Sequence, residues 1–291
     1  MKELLTGKQI AEEILENSAE RIRLGHQKYS TTPCVAIVYV GDDEASRIYA
    51  YQKRKACARV GIRAVEYGLE YTASTEDVIE LIYKLDADIG THGIMVQTPL
   101  PKHIDADRVF DSILYSKDID GVTQWNVYKL YKYGHTELGP CTAEAVVALL
   151  DHYNIPISGA RVVVVGRSDT VGKPLTLMLT QRDATVTIVH TKTKKTKEIT
   201  KQADILILAT GDLEKFDDTY IKEGATVIDV GIGKGSSNKT VGDFNQADYT
   251  SNKKARISKV PGGVGAVTTA ISVEHIVYAW EKISERKHTE K

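Results

Sequence analysis

Arg161-Val162-Val163-Val164-Val165-Gly166-Arg167-Ser168-Asp169-Thr170-Val171-Gly172-Lys173-Pro174 decides the architecture of the second half of the chain. An unbroken run of β-branched residues suits a strand covered on both faces. It enters a glycine-bounded loop placed where a helix N-terminus would face a phosphate. Similar runs follow at Thr185–Val189, Asp204–Ala209 and Thr226–Val230, at intervals of roughly 20 residues. Together they predict a parallel sheet with helical crossovers and a dinucleotide site at its edge. The spacing is neither GxGxxG nor a P-loop, because five residues separate Gly166 from Gly172. Pro174 also stands where a P-loop carries its magnesium-binding hydroxyl, which weakens an ATPase or kinase reading.

The run Thr185–Val189 ends at His190 and continues as Thr191-Lys192-Thr193-Lys194-Lys195, with no acid where a NAD ribose would want one. Arg167 and these hydroxyl and lysine groups suit a 2′-phosphate instead, so the preference predicted is for NADP. The competing reading makes Arg167 a surface charge and the lysines a solvated loop, and for each lysine singly that reading wins. Val260-Pro261-Gly262-Gly263-Val264-Gly265 precedes a final helix expected over Thr268–Ile283. Its glycines allow a backbone to pass close to a flat ligand, although a tight turn would use them equally.

The first half alternates in the same way. Ile10–Ile22 has helical periodicity, Cys34–Val40 is an apolar run, and Glu44–Val60 has helical spacing and stops at Gly61. Arg63–Leu69 and His92–Val96 read as strands flanking a helix over Thr75–Leu85, and Gln97-Thr98-Pro99-Leu100-Pro101 ends the series. The fold expected is α/β in two domains: a βαβ-type catalytic domain over 1–142 and a Rossmann-like parallel-sheet domain over 143–267, with a cleft between them. The 268–291 segment is expected to pack back on the first.

Composition bounds the function classes. Among 291 residues, 38 Lys and Arg oppose 39 Asp and Glu, a formal charge of -1 that gives no sign of a nucleic-acid or anionic-membrane partner. No stretch approaches the roughly 18 apolar residues of a membrane span, and the expected location is the cytoplasm. Cys34, Cys57 and Cys141 lack metal-ligand spacing, so they read as thiols in a reducing compartment, Cys57 in the core, and no metal site is expected.

Tyr49 and Lys53, four apart on the 44–60 helix, share a face. A phenol beside an amine can act on one substrate atom, and a lysine that loses its proton near neutrality can serve as acid or base. From spacing alone the bland reading is stronger, since Tyr51 and Lys55 repeat the pattern one face away.

Taken together, VGDDEASRIYAYQKRKACARVGI, VQTPLP, KDIDG, PCT, VVGRSDTVGKP, ATVTIVH, ADILILATG, GATVIDVG, GD and VPGGVG resemble, in order and spacing, the bacterial bifunctional methylenetetrahydrofolate dehydrogenase/cyclohydrolase family. The likeness runs from about Leu5 to Val277. It implies an NADP-dependent oxidation of 5,10-methylenetetrahydrofolate followed by hydrolysis of the methenyl product to 10-formyltetrahydrofolate, in a homodimer formed through the nucleotide-binding domain. It implies Lys53 as general acid/base, Tyr49 as its restraint, Gln97 hydrogen-bonding nearby and Asp120 on the pterin ring. Without it, Asp118 and Asp120 read as turn residues before Gly121. Ser46, Pro99 and Gly262 would line the substrate pocket. Gly166, Arg167, Ser168, Gly172, Pro174, His190, Thr191, Gly231, Ile232, Gly263 and Gly265 would surround the cofactor.

The sequence departs from the family pattern at Thr98 (usually Leu), Tyr128 (usually Gly), Ala143 (usually Pro), Lys259 and Ala266 (the latter usually Pro). These departures keep two alternatives open, a monofunctional dehydrogenase and a silent folate- or nucleotide-binding paralogue. A shikimate-type dehydrogenase fits the combined motifs poorly.

Overall fold

A computed structural model describes residues 3–41, 44–235, 238–246, 249 and 254–289; the side chains of 3, 44–49, 287 and 289 lie outside the description. The strands are β1 (Glu3–Leu5), β2 (Cys34–Val40), β3 (Arg63–Leu69), β4 (Gly93–Val96), β5 (Arg161–Val165), β6 (Thr185–Val189), β7 (Ile205–Leu208), β8 (Thr226–Asp229), β9 (Gly233–Lys234), β10 (Thr240–Val241) and β11 (Arg256–Ser258). The α-helices are α1 (Lys8–Tyr29), α2 (Glu44–Val60), α3 (Thr75–Ala87), α4 (Ala106–Asp111), α5 (Gln124–Tyr133), α6 (Cys141–His152), α7 (Gly172–Thr180), α8 (Thr196–Thr200) and α9 (Val264–Thr289). Among the described residues, no helix is long and apolar enough to cross a membrane.

The chain divides into two compact units, Met1–Ala11, Leu130–His135 and Thr142–Thr268 forming one, and Glu12–Lys129, Thr136–Cys141 and Thr269–Lys291 the other. The expected boundaries group 1–11 and 130–135 with the first part of the chain. The structure has β1 adding in parallel to β11, which carries the N-terminal segment into the nucleotide-type sheet.

In the second of these units β2 lies between β3 and β4, all parallel. Its sequence, CVAIVYV, is buried almost throughout because both neighbours and both faces are covered, whereas the edge strand β3 alternates in exposure. A capping box starts α3: the Ser74 hydroxyl accepts from Asp77 N at 3.2 Å and an Asp77 carboxylate oxygen from Ser74 N at 2.8 Å. Val78, Ile82 and Leu85 on one helix face pack with Ala36, Val38, Val40, Ile94 and Val96. Burial of each large aliphatic side chain contributes about 1.5–3 kcal/mol. Elsewhere in this unit α9 packs against α1, where Trp280 lies so near Gly25 that a Cβ there would be 2.4 Å from the indole.

In the other unit the sheet order is β1-β11-β8-β7-β5-β6, parallel throughout. From β5 the chain goes to β6 on one side and then to β7 on the other. The strand order therefore reverses between β5 and β7, and an open α/β sheet binds its ligand outside the carboxyl ends at such a point. Helix α9 begins at Val264 rather than near Thr268, so Gly265 lies in its first turn. The short strands β1, β9, β10 and β11 and the helix α5 carry no hydrophobic period long enough to read from sequence.

Candidate functional site

Lys53 emerges from the buried face of α2 with 5% of its surface exposed, and its Nζ donates to Asp120 Oδ1 at 2.9 Å. The similarly spaced Tyr51 and Lys55 are exposed, so burial separates the two lysines, which spacing could not. Gln97 follows β4 directly, is buried, and donates its backbone N–H to Val38 O at 2.8 Å. The next peptide bond, Thr98–Pro99, is cis, and Pro99 is exposed. Tyr49 and Ser46 lie on the backbone of α2, but their side chains fall outside the described residues.

The loop carrying Asp120 is fixed on several sides. Lys117 is buried and donates to the carbonyls of Leu85, Asp86 and Asp88 at 3.1, 2.8 and 2.8 Å. Asp118 is wholly buried and accepts from Val122 N, Thr123 N and Asn126 Nδ2 at 3.1, 2.9 and 2.8 Å. Burial pushes its carboxyl up, against the pull of these donors. Gly121 has φ +69, and a Cβ there would come within 2.1 Å of the Gly139 carbonyl. The turn role read for both aspartates thus belongs to Asp118, which leaves Asp120, with a quarter of its side chain exposed, to face Lys53.

The other unit gathers its candidate residues at the carboxyl edge of the sheet. Gly166 follows β5 with φ +125, and a Cβ there would sit 2.2 Å from Ala209 O after β7. A Cβ on Gly172 would sit 2.3 Å from Gly166 O, so the loop closes on itself with bare backbone at the topological switch point. Arg167 and Ser168 are exposed at its rim, Pro174 is buried in α7, and Gly172 N donates to Ser168 Oγ at 3.4 Å. His190 follows β6, its Nδ1 accepting from Lys192 N at 3.2 Å, and Thr191 is exposed beside it. Gly231 and the exposed Ile232 follow β8. Gly262 and Gly263 stand before α9, and Gly7 N donates to Gly262 O at 2.8 Å. A glycine-walled backbone cradle beside a guanidinium and hydroxyl groups fits a dinucleotide phosphate chain.

Comparison with known proteins agrees with both halves. Residues 5–120 match the family described as tetrahydrofolate dehydrogenase/cyclohydrolase, catalytic domain, and residues 140–284 its NAD(P)-binding domain. The chain belongs to the tetrahydrofolate dehydrogenase/cyclohydrolase family. Among its relatives, the bifunctional protein FolD of Ligilactobacillus salivarius is 42% identical over 279 residues, spanning 96% of this chain and 97% of that protein. The crystal structure of the bifunctional methylenetetrahydrofolate dehydrogenase/cyclohydrolase of Campylobacter jejuni superposes with a TM-score of 0.91 at 37% identity, covering 99% of this chain and 100% of that one. The Trypanosoma brucei enzyme, solved with NADP cofactor and inhibitor, gives 0.90 at 33% identity, covering 98% and 99%.

Lys53, Gln97 and Asp120 fall within the family's catalytic-domain match, and the glycine cradle falls within its NAD(P)-binding match. The expected α/β enzyme with a nucleotide domain in its second half is what the fold and the family give. Of the departures from the family pattern, Ala143 is fully buried, and Tyr128 lies at the surface with its ring 5.8 Å from that of Trp125.

Sequence reasoning gave no role to Asp229 and Asp243. Asp229 accepts from Gly231 N, Asp243 N and Phe244 N at 3.1, 2.9 and 2.9 Å. Asp243 accepts from Thr210 N, Thr210 Oγ1 and Gly211 N at 2.7, 2.9 and 3.2 Å, so the pair ties together the loops after β7 and β8. The only sequence signal was the position of Asp229 at the end of a β-branched run and the short GD motif. Cys57 is core as expected, its thiol pushed up to about 12 by burial. Among the described residues, no cluster of His, Cys, Asp and Glu could hold a metal ion.

Proposed function

We propose that this family member oxidises 5,10-methylenetetrahydrofolate with NADP and hydrolyses the methenyl product to 10-formyltetrahydrofolate. The observation that carries this reading is the buried Lys53 Nζ 2.9 Å from Asp120 Oδ1. A membership shared with enzymes described as bifunctional supports it. Hydride loss from the methylene carbon leaves a cation shared by two folate nitrogens, so the protein's task in that step is orientation. The nicotinamide that accepts the hydride belongs to NADP when it is bound. Hydrolysis adds water to the same carbon and breaks its bond to one nitrogen; one proton of the water passes to the released nitrogen and the other leaves.

Lys53 is the group proposed to move that proton, with Tyr49 restraining it and Gln97 alongside. Asp120 both directs the ammonium and accepts from the donor edge of the pterin. Ser46, Pro99 and Gly262 are proposed to line the folate pocket. Gly166, Arg167, Ser168, Gly172, Pro174, His190, Thr191, Gly231, Ile232, Gly263 and Gly265 are proposed to hold NADP. A folate-binding part over 1–142 with 268–291, an NADP part over 143–267, a cytoplasmic location and a homodimer through the nucleotide-binding part belong to the same reading. Light scattering on purified protein should give twice the 32.1 kDa chain mass; the mass of one chain refutes the dimer.

Two signals test the activity: NADPH formation from methylenetetrahydrofolate, and decay of methenyltetrahydrofolate without nucleotide. Both are expected in the wild type, and Lys53→Met should abolish the second while the protein stays folded. Near-normal hydrolysis by that variant would sink the role given to Lys53.

A further inference from the structure

The loop that carries Asp120 hangs on one buried carbonyl. Ile119 O accepts from the Cys141 thiol at 3.1 Å and lies 2.9 Å from His275 Nδ1. A carbonyl oxygen only accepts, so Nδ1 carries a proton here. Cys141 Sγ and His275 Nδ1 are 3.4 Å apart, and all three residues are buried. The backbone N–H of Cys141 also donates to Asp120 O at 3.3 Å. The peptide groups before and after Asp120 are therefore both tied to Cys141, and the first is tied to α9 as well.

Any buried carbonyl needs a donor, and one would satisfy it. Here two side chains converge on the same oxygen from positions 22 and 156 residues away. On the other side Ile119 is pressed against β4, since a Cβ on Gly93 would lie 2.6 Å from its Cγ2. The 119–120 peptide is left with little freedom to rotate, and it is the peptide that sets where the Asp120 carboxylate points. A misplacement on the order of 1 Å at such a group can cost up to about a hundredfold in rate.

We propose that Cys141 and His275 are positioning residues for the folate site, acting through Asp120. The inference rests on the functional reading above. Neither side chain is offered as touching substrate; each fixes the peptide from which Asp120 meets both Lys53 Nζ and the donor edge of the ligand. Their loss should be felt in folate recognition and not in nucleotide recognition.

The test compares His275→Leu with His275→Asn in the full chain. Asparagine keeps an N–H donor at the distance of Nδ1 from the backbone, whereas leucine fills the volume without one. His275→Leu should raise KM for the folate substrate about tenfold in both activities, equivalent to about 1.4 kcal/mol, with KM for NADP within about twofold of wild type. His275→Asn should return the folate KM to within about twofold of wild type, and the pH profile of hydrolysis should shift in the leucine variant alone. A wild-type folate KM in folded His275→Leu overturns the inference, as does equal impairment of both variants toward both substrates. If His275→Leu does not fold, Cys141→Ala and Cys141→Ser make the same comparison through the other donor, and equal folate KM values overturn it. A wild type without either activity refutes the functional reading and takes this inference with it.

Discussion

Asp229 ends β8 with 1% of its surface exposed, and its carboxyl is pushed up from 3.8 to about 7. Burial is the main cause and the Asp243 charge adds to it, while the N–H groups of Phe244, Asp243 and Gly231 pull the other way. Above 3.8 the unfolded chain has released this proton and the folded chain keeps it, so the folded state binds more protons. The stabilisation is complete below 3.8 and is lost as pH rises through about 7. With these two values, linkage gives a loss of roughly 2.6 kcal/mol from this site between about pH 5 and about pH 8. Asp229→Asn is neutral at every pH; it turns an NH2 toward one of the three N–H donors, an offset of about 1–3 kcal/mol that does not vary with pH. Urea unfolding of both proteins at fixed ionic strength isolates the site, because other titrating groups cancel in the difference. The advantage of wild type over variant should shrink by roughly 2–3 kcal/mol across that range. A difference constant to within about 0.5 kcal/mol would mean that Asp229 is ionised in the folded protein throughout, and the argument from burial would fail.

Gly166→Ala forces a side chain into φ +125 and a Cβ to 2.2 Å from Ala209 O. Strain of about 1–3 kcal/mol from each source should lower Tm and weaken NADP binding; unchanged NADP affinity by titration would remove this loop from the cofactor site. Arg167→Ala should lower the ratio of kcat/KM for NADP to that for NAD about tenfold, the effect of losing one exposed charge-assisted phosphate contact. An unchanged ratio returns Arg167 to the status of an ordinary surface charge.

The long parallel strands were legible because β2, β5 and β6 are rich in β-branched residues and the edge strand β3 alternates apolar with polar positions, and all four fall where those runs lie. Helix α2 ended where Gly61 takes φ +90. The three-residue strands β1 and β11 were not legible, since what makes them strands is each other and β8. Lys53 was visible only as half of a common spacing, and its distinction from Lys55 is burial, a property of the folded unit. The chemistry of Asp120 was hidden in a different way. KDIDG offers two equivalent acids, and only the folded loop sends Asp118 inward to its own backbone and Asp120 outward to Lys53. Asp229 and Asp243 were hidden because their partners are main-chain N–H groups, which no residue type announces.

Helix α9 carries a consequence for how the chain comes off the ribosome. Its Trp280 fills the gap over Gly25 and donates to Thr31 Oγ1 at 3.0 Å, and Glu281 accepts from Arg21 Nε and Nη2 at 3.1 and 2.7 Å. The unit holding Lys53 and Asp120 is thus completed by residues from Thr269 onward, made after the whole of 142–268 has been synthesised. At translation speeds of ~5–20 residues per second, the bare face of α1 waits on the order of ten seconds for its cover. The nucleotide-type sheet receives its last strand, β11, before that cover arrives. The order of synthesis therefore builds the cofactor half ahead of the half that holds the proposed proton-transfer lysine.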